Sequence, residues 1–318
     1  MKNKTVFAAL GLAASLVASG ASAETRITYK SAKTGSSYYQ MGVQLAEAMK
    51  ANTDGEIIVT VEESQGSVQN VMEAKARGGD YVFTTPPALI GLAQGGKAMF
   101  EGKGDPKFDE IRALFPIPSL TMHFVMSADS GVTDFAGMEG KTILLGKGSF
   151  GATEGEKYLK LFGLEGKVNL AEVELSNAVP ALKNGQIDGF VTAGSWPAPN
   201  VIEAAASTDV VVLSLSDDQI AESKRSKLVI PAGTYAGQDS EIATTSLPVA
   251  AFTTTAMSDD AAYELTKTFW ESKAAMAEDA PWWKGVDKEL MANINTRLHP
   301  GAIRYYTEAG FELTPDQQ

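Results

Sequence analysis

Gly146-Lys147-Gly148-Ser149-Phe150-Gly151 stands between a strand-like run, Lys141–Gly146, and a helix-like run, Ala152–Phe162. Small residues at a strand-to-helix turn let successive backbone N–H groups converge on one anion, phosphate or carboxylate, at the positive end of the helix. The same grammar recurs three times. Thr34-Gly35-Ser36-Ser37 opens a first helix, Gln65-Gly66-Ser67 opens a second, and Thr192-Ala193-Gly194-Ser195 follows a later strand. A single turn of this kind is usually only an N-cap. Four of them, two per domain, predict ligand-binding turns at strand ends that share a cleft between the domains. The first quoted stretch also satisfies G-x-G-x-x-G, and Glu172 and Glu174 follow where a dinucleotide fold carries its ribose-binding acid. That pattern is weak in a chain with 30 glycines, so a carboxylate cup is preferred to NAD and no cofactor is expected.

Strand-like and helix-like segments alternate outward from that stretch, which predicts an α/β fold. Arg26–Ser31 reads as a strand, followed by a helix from Ser36 or Ser37 with Met41, Leu45, Ala48 and Met49 on one face. Ile57–Val61 is a β-branched strand. The next helix turns Val68, Val71 and Met72 inward and stops at Gly78-Gly79. Tyr81–Thr85 is a strand, and Pro86-Pro87 suits the first turn of a short helix. Two prolines argue against a regular central strand over Leu114–Pro118, while His123–Ser127 is extended. Val168–Val173, Ile187–Thr192 and Val210–Leu215 read as strands, with helices over Asn177–Lys183 and Pro199–Ala206. An apolar run, Leu247–Thr254, leads to a long helix, Asp259–Met276, closed by Pro281-Trp282-Trp283, and His299-Pro300 starts a last helix. The two extended crossings, near 118–127 and 247–254, predict a second domain inserted into the first: lobe I is 24–117 plus 248–318 and lobe II is 118–247, joined by two hinge strands.

Composition narrows the function. The 318 residues contain no Cys, which excludes disulfides, thiolate nucleophiles, Cys-ligated zinc and lipidation at a Cys. A net charge of −12 argues against nucleic acid, whose phosphates need clustered Lys and Arg. Two histidines leave little for a metal centre, and no metal is expected. Lys2 and Lys4, the apolar run Val6–Val17 and Ala21-Ser22-Ala23 have the layout of a cleavable signal peptide over residues 1–23. The run is too short for a confident membrane anchor. The mature protein is therefore expected to start at Glu24 and to be soluble in a bacterial periplasm. Nucleophile readings fail: Ser149 lacks the G-x-S-x-G elbow, because Lys147 stands two residues before it. His299 precedes a proline, where capping is expected rather than catalysis, and the chain is expected not to be an enzyme.

Five motifs in order resemble one family. They are Lys33-Thr34-Gly35-Ser36-Ser37-Tyr38-Tyr39; Gly66-Ser67-Val68-Gln69-Asn70; His123 to Gly131 with Gly140-Lys141 and then Gly148 to Glu154; Ala181 to Asp188; and Leu298-His299-Pro300-Gly301-Ala302. Together they resemble the TAXI solute receptors of tripartite ATP-independent periplasmic (TRAP) transporters. The resemblance implies a monomeric, two-lobed, type II-like periplasmic binding protein that captures a small organic anion and presents it to a TRAP membrane permease. Glutamate, glutamine and 2-oxoglutarate are the ligands it implies, an amino acid or dicarboxylate. Lys30, Ala32 and Ser36 stand where the family tends to have small or glycine residues. Phe150 replaces a small residue in the anion cup, and Lys147 adds a cation beside it. The expected site takes one carboxylate on Ser149, Phe150, Gly151 and Thr153. Gly35, Ser36, Tyr39, Gln65, Ser67 and Thr85 come from the opposite lobe, with Thr192, Gly194, Ser195 and Trp196 on the floor of the second. Lys33 and Lys147 are candidate counter-charges, since none of the six arginines beyond Glu24 lies in the four turns. The competing readings are an exported oxidoreductase using the Gly146–Gly151 loop, and a sensor subunit docking to a kinase ectodomain.

Overall fold

A computed structural model describes residues 24–147 and 149–318. The expected signal peptide and Gly148 lie outside the described residues. The first unit runs β1 (Thr25–Lys30), α1 (Ser37–Asn52), β2 (Ile57–Glu62), α2 (Ser67–Glu73), β3 (Tyr81–Thr85) and α3 (Pro87–Gln94). A long strand, β4 (Ile111–Ser127), carries the chain into a second unit. That unit comprises β5 (Thr142–Leu144), α4 (Phe150–Leu161), β6 (Asn169–Ala171), α5 (Ala178–Lys183), β7 (Gly189–Gly194), α6 (Pro199–Ser207), β8 (Val210–Val212), α7 (Asp217–Ser223) and β9 (Ser226–Ile230). A second long strand, β10 (Ile242–Thr254), returns, and α8 (Asp259–Asp279) and α9 (Pro300–Glu308) complete the chain.

The strands form one mixed sheet in the order β2-β1-β3-β10-β4-β7-β5-β6, with β8 on β4 and β9 on β10. Each end of the sheet is built alike. β1 pairs parallel with β2 and β3, and β10 closes on β3 antiparallel; β5 pairs parallel with β6 and β7, and β4 closes on β7 antiparallel. The fold is thus two-lobed α/β, and the long strands belong to both lobes. Residues 111–117 of β4 lie along 249–254 of β10, whereas Thr121–Met126 pair with β7 and Ile242–Ser246 pair with β9. A β-bulge between Leu247 and Val249 marks the change of partner on β10.

One expectation is corrected. Leu114–Pro118 is the middle of β4, with Pro116 opposite Ala250 and Ile117 opposite Val249. Two prolines two residues apart leave their missing N–H groups on the same edge of a strand. β7 occupies the second edge of β4 only from Thr121 onward, so that edge needs no ladder donors at 116 and 118. The Pro118 carbonyl instead accepts from the Tyr38 hydroxyl at 2.9 Å. Strand β9 is an element that the sequence pattern did not show.

The helix faces follow the sequence. Met41, Leu45, Ala48 and Met49 of α1 are buried against the sheet, and Phe115 of β4 stacks on Phe269 of α8 at 4.1 Å. Trp283 is fully buried, and its Nε1 donates to Gln44 Oε1 at 2.7 Å, which locks the segment after α8 onto α1. His299 caps α9 by accepting from Gly301 N–H at 3.2 Å. No described helix is long and apolar enough to cross a membrane.

Candidate functional site

The parallel strands of both lobes end at the same place, and a small cavity of about 50 Å³ lies there. Ser31 and Ala32 follow β1, Gln65 and Gly66 lead from β2 into α2, and Thr84 lies near the end of β3. From the other lobe come Leu145 after β5, Leu175 beyond β6, and Val191, Thr192 and Ala193 of β7. Leu120 of β4 and Val249 of β10 line it from the hinge. A water needs roughly 10–15 Å³, so the lobes stand closed over room for a few waters.

Three helix starts border this space. Ser36 caps α1 by accepting from Tyr39 N–H at 3.3 Å, and Ser149 caps α4 by accepting from Ala152 N–H at 3.0 Å. The start of α2 is Gly66, with no side-chain cap. The first N–H groups of a helix have no intrahelical acceptor and carry about half a positive charge. Converging on one point, they suit a carboxylate. Gly66 has φ +106, a backbone conformation that favours glycine, and a Cβ there would meet Phe150 of the other lobe at an ordinary contact of 3.4 Å. The floor is braced by Asn70 of α2, whose Nδ2 donates to the carbonyls of Ser31 at 2.7 Å and Thr84 at 2.9 Å. Asn70 of the family-like motif therefore ties β1 to β3 and does not face the cavity.

Lys33 is the one charged side chain on the lining among the described residues. Its Nζ pairs with Glu174 of the opposite lobe at 2.9 Å and stands 4.0 Å from Glu63. The backbone N–H of Thr34 donates to Glu63, and that bond chiefly holds its carboxyl below the usual range. Lys147 lies outside, pairing with Glu172 at 2.8 Å on a solvated surface, and Glu172 chiefly raises its pKa. A second cross-lobe tie joins α1 to the end of β7: Ser195 N–H donates to Ser37 Oγ at 2.8 Å.

Of the expected residues, Ser36, Gln65, Ser67, Ser149, Phe150, Gly151 and Thr192 line the cavity. The others stand elsewhere. Gly35 is on an exposed turn, and Thr153 faces solvent from the outer side of α4. Tyr39 turns aside while Tyr38, one residue and about 100° round the helix, takes the lining place. Thr85 is buried on the opposite face of β3, and Thr84 lines the cavity, its Oγ1 2.7 Å from the Tyr29 hydroxyl. Gly194 packs on Ser37 Oγ past the rim. Ser195 and Trp196 line a separate, wider cavity behind the hinge. Sequence reasoning missed Ser31, Tyr38, Thr84 and the apolar lining. Strand parity would have found Thr84 had it been known which of the two buried faces of β3 looks onto the cavity.

Residues 30–310 match the model of the NMT1-like family. The chain belongs to that family. Its fold resembles that of BugD, a periplasmic binding protein, at 11% identity and TM-score 0.57, covering 91% of this chain and 99% of that one. A protein from Bordetella bronchiseptica matches at 16% identity and TM-score 0.51, over 92% of this chain and 84% of that one. MatC from Rhodopseudomonas palustris, with bound malate, matches at 12% identity and TM-score 0.51, over 85% and 88%. At these identities the likeness is one of fold. BugD is named a periplasmic binding protein, and MatC was solved with malate bound.

Proposed function

We propose that this protein is a monomeric periplasmic solute receptor of the TAXI type that closes two lobes on a small carboxylate and presents it to a TRAP membrane permease. The closing bodies are 24–117 with 248–318, and 118–247; β4 and β10 carry the hinge. The observation that carries the reading is a cavity shared by both lobes, where three helix starts and the hydroxyls of Ser31, Ser36, Ser67, Ser149 and Thr192 converge. The fold shared with BugD, and with MatC holding malate, supports the same class. Export rests on the layout of residues 1–23.

Glutamate, glutamine and 2-oxoglutarate are the ligands to test. Lys33 is already committed to Glu174, so one carboxylate sits on backbone N–H groups and a second finds no free cation. Affinity should therefore be highest for glutamine, the one of the three with a single carboxylate, because an unpaired buried carboxylate is costly. Isothermal titration of the three against the mature protein tests this, with Ser149→Ala weakening the best ligand by about tenfold to a hundredfold. The reading fails if none of the three binds, or if Ser149→Ala binds like the parent. An oxidoreductase using the Gly146–Gly151 loop is disfavoured, because Glu172, which would hold the ribose, is tied to Lys147 on a solvated surface away from the cavity.

A further inference from the structure

Residues alternate across β4, and the alternation separates two cavities. Leu120 faces the front cavity described above, while its neighbours Ser119 and Thr121 face a second one on the opposite side of the hinge. Val249 faces the front, and Ser246 and Pro248 of β10 face the back. The back cavity has a volume of about 660 Å³, against about 50 Å³ in front. Small-molecule sites run from roughly 300 to 1,000 Å³ and favour interfaces between domains. On volume, the back cavity has room for a small molecule as the structure stands.

Its chemistry is specific. Trp196 comes to it from lobe II and Trp282 from the segment after α8, so an indole from each lobe lines the space. Two cations line it, Lys227 and Lys284, and no Asp or Glu does, in a chain of net charge −12. Lys227 is engaged by Asp217 at 2.6 Å, whereas Lys284 makes no ion pair among the described residues. Ser195, on the same lining, is 1% exposed and its Oγ has no hydrogen-bond partner in the protein. Flat rings stack on indoles, an ammonium attracts an anion, and an unpartnered buried hydroxyl favours a polar atom nearby.

We infer that the back of the hinge is a second small-molecule site, for a flat apolar ligand bearing one negative charge, such as an aromatic carboxylate. It is separate from the front cavity and stands or falls independently of the carboxylate receptor reading. Indole-3-acetate is the probe, titrated into the mature protein by calorimetry. Binding in the millimolar range or tighter is expected. Lys284→Glu changes an exposed residue, so the fold is kept, and it should weaken the probe by about tenfold. Ser149→Ala, in the front cavity, should leave probe binding unchanged, and the neutral indole-3-acetamide should bind about tenfold more weakly. Absence of binding would mean that the back cavity is only space left by hinge closure, and would leave the front site untouched. Loss of the probe in Ser149→Ala but not in Lys284→Glu would place it in front and overturn the inference. Equal binding of the acetamide would overturn the anionic assignment.

Discussion

Ser37→Ala isolates a bond that crosses between the two proposed lobes and should be lost when they open. Ser37 is the first residue of α1, after the cap Ser36, so alanine preserves the helix and its cap. What is lost is the acceptor for Ser195 N–H at 2.8 Å, across 158 positions of sequence. Ser195 is 1% exposed, so in the closed state its N–H is left without a partner, at a cost of about 1–3 kcal/mol; in the open state water satisfies it. A change of about 1–2 kcal/mol moves a two-state equilibrium roughly 5- to 30-fold. The Lys33–Glu174 pair is another cross-lobe tie, but the Glu174 side chain is 47% exposed and such pairs contribute about 0–1 kcal/mol. Ser37→Ala should therefore open the protein more than Lys33→Ala does. Small-angle scattering of the ligand-free variant should show a larger radius of gyration, and titration with glutamine a dissociation constant raised by about tenfold. Unchanged radius and affinity would refute the reasoning, as would a larger effect from Lys33→Ala.

Three further outcomes are expected. His123 lies buried in β4, its Nε2 2.7 Å from the Tyr235 hydroxyl, and burial pushes its pKa down from 6.5 to about 4. The unfolded chain then takes up a proton before the folded one does. Stability is complete above about pH 6.5 and falls as the pH drops, by about 3 kcal/mol near pH 4, and His299 acts in the same direction. Urea melts across that range should show a shallower slope for His123→Asn, and an unchanged slope would sink the assignment. Arg225 donates through one Nη2 to both oxygens of Glu154, at 3.1 and 3.0 Å, so Arg225→Ala leaves a buried carboxylate unpaired. Denaturation should show a loss of about 3 kcal/mol, and parental stability would refute the pairing. A Cβ at Gly301 would lie 2.0 Å from the Asp259 carbonyl, so Gly301→Ala should separate α9 from α8 and lower stability by about 1–3 kcal/mol; a parental melting temperature would contradict that packing.

Local chemistry accounts for what was legible. The caps Ser36, Ser149 and His299, the buried face of α1 and the turn at Gly66-Ser67 depend on residues three or four apart, and they appear in the structure where the pattern places them. The same locality explains why the four strand-end turns were recognisable and why seven of the expected residues meet at one cavity. Strand faces are different, because alternation defines two faces without saying which is inward. Thr84 and Thr85 are chemically equal in the sequence, and only the packing of β3 between β1 and β10 assigns one to the cavity.

By itself, then, the sequence determined the alternating α/β elements, the helix starts and the absence of arginine from the four strand-end turns. The tertiary structure alone decided that Pro116 and Pro118 lie inside a long shared strand, because the edge they leave unpaired is empty only once β7 has taken its place farther along β4. It alone set Lys33 against Glu174 and Ser37 against Ser195, and it put Trp196 and Trp282 on one cavity behind the hinge. Those meetings join positions far apart in the chain. They arise from how the two ends of one sheet share its two long strands, and no local propensity encodes that arrangement.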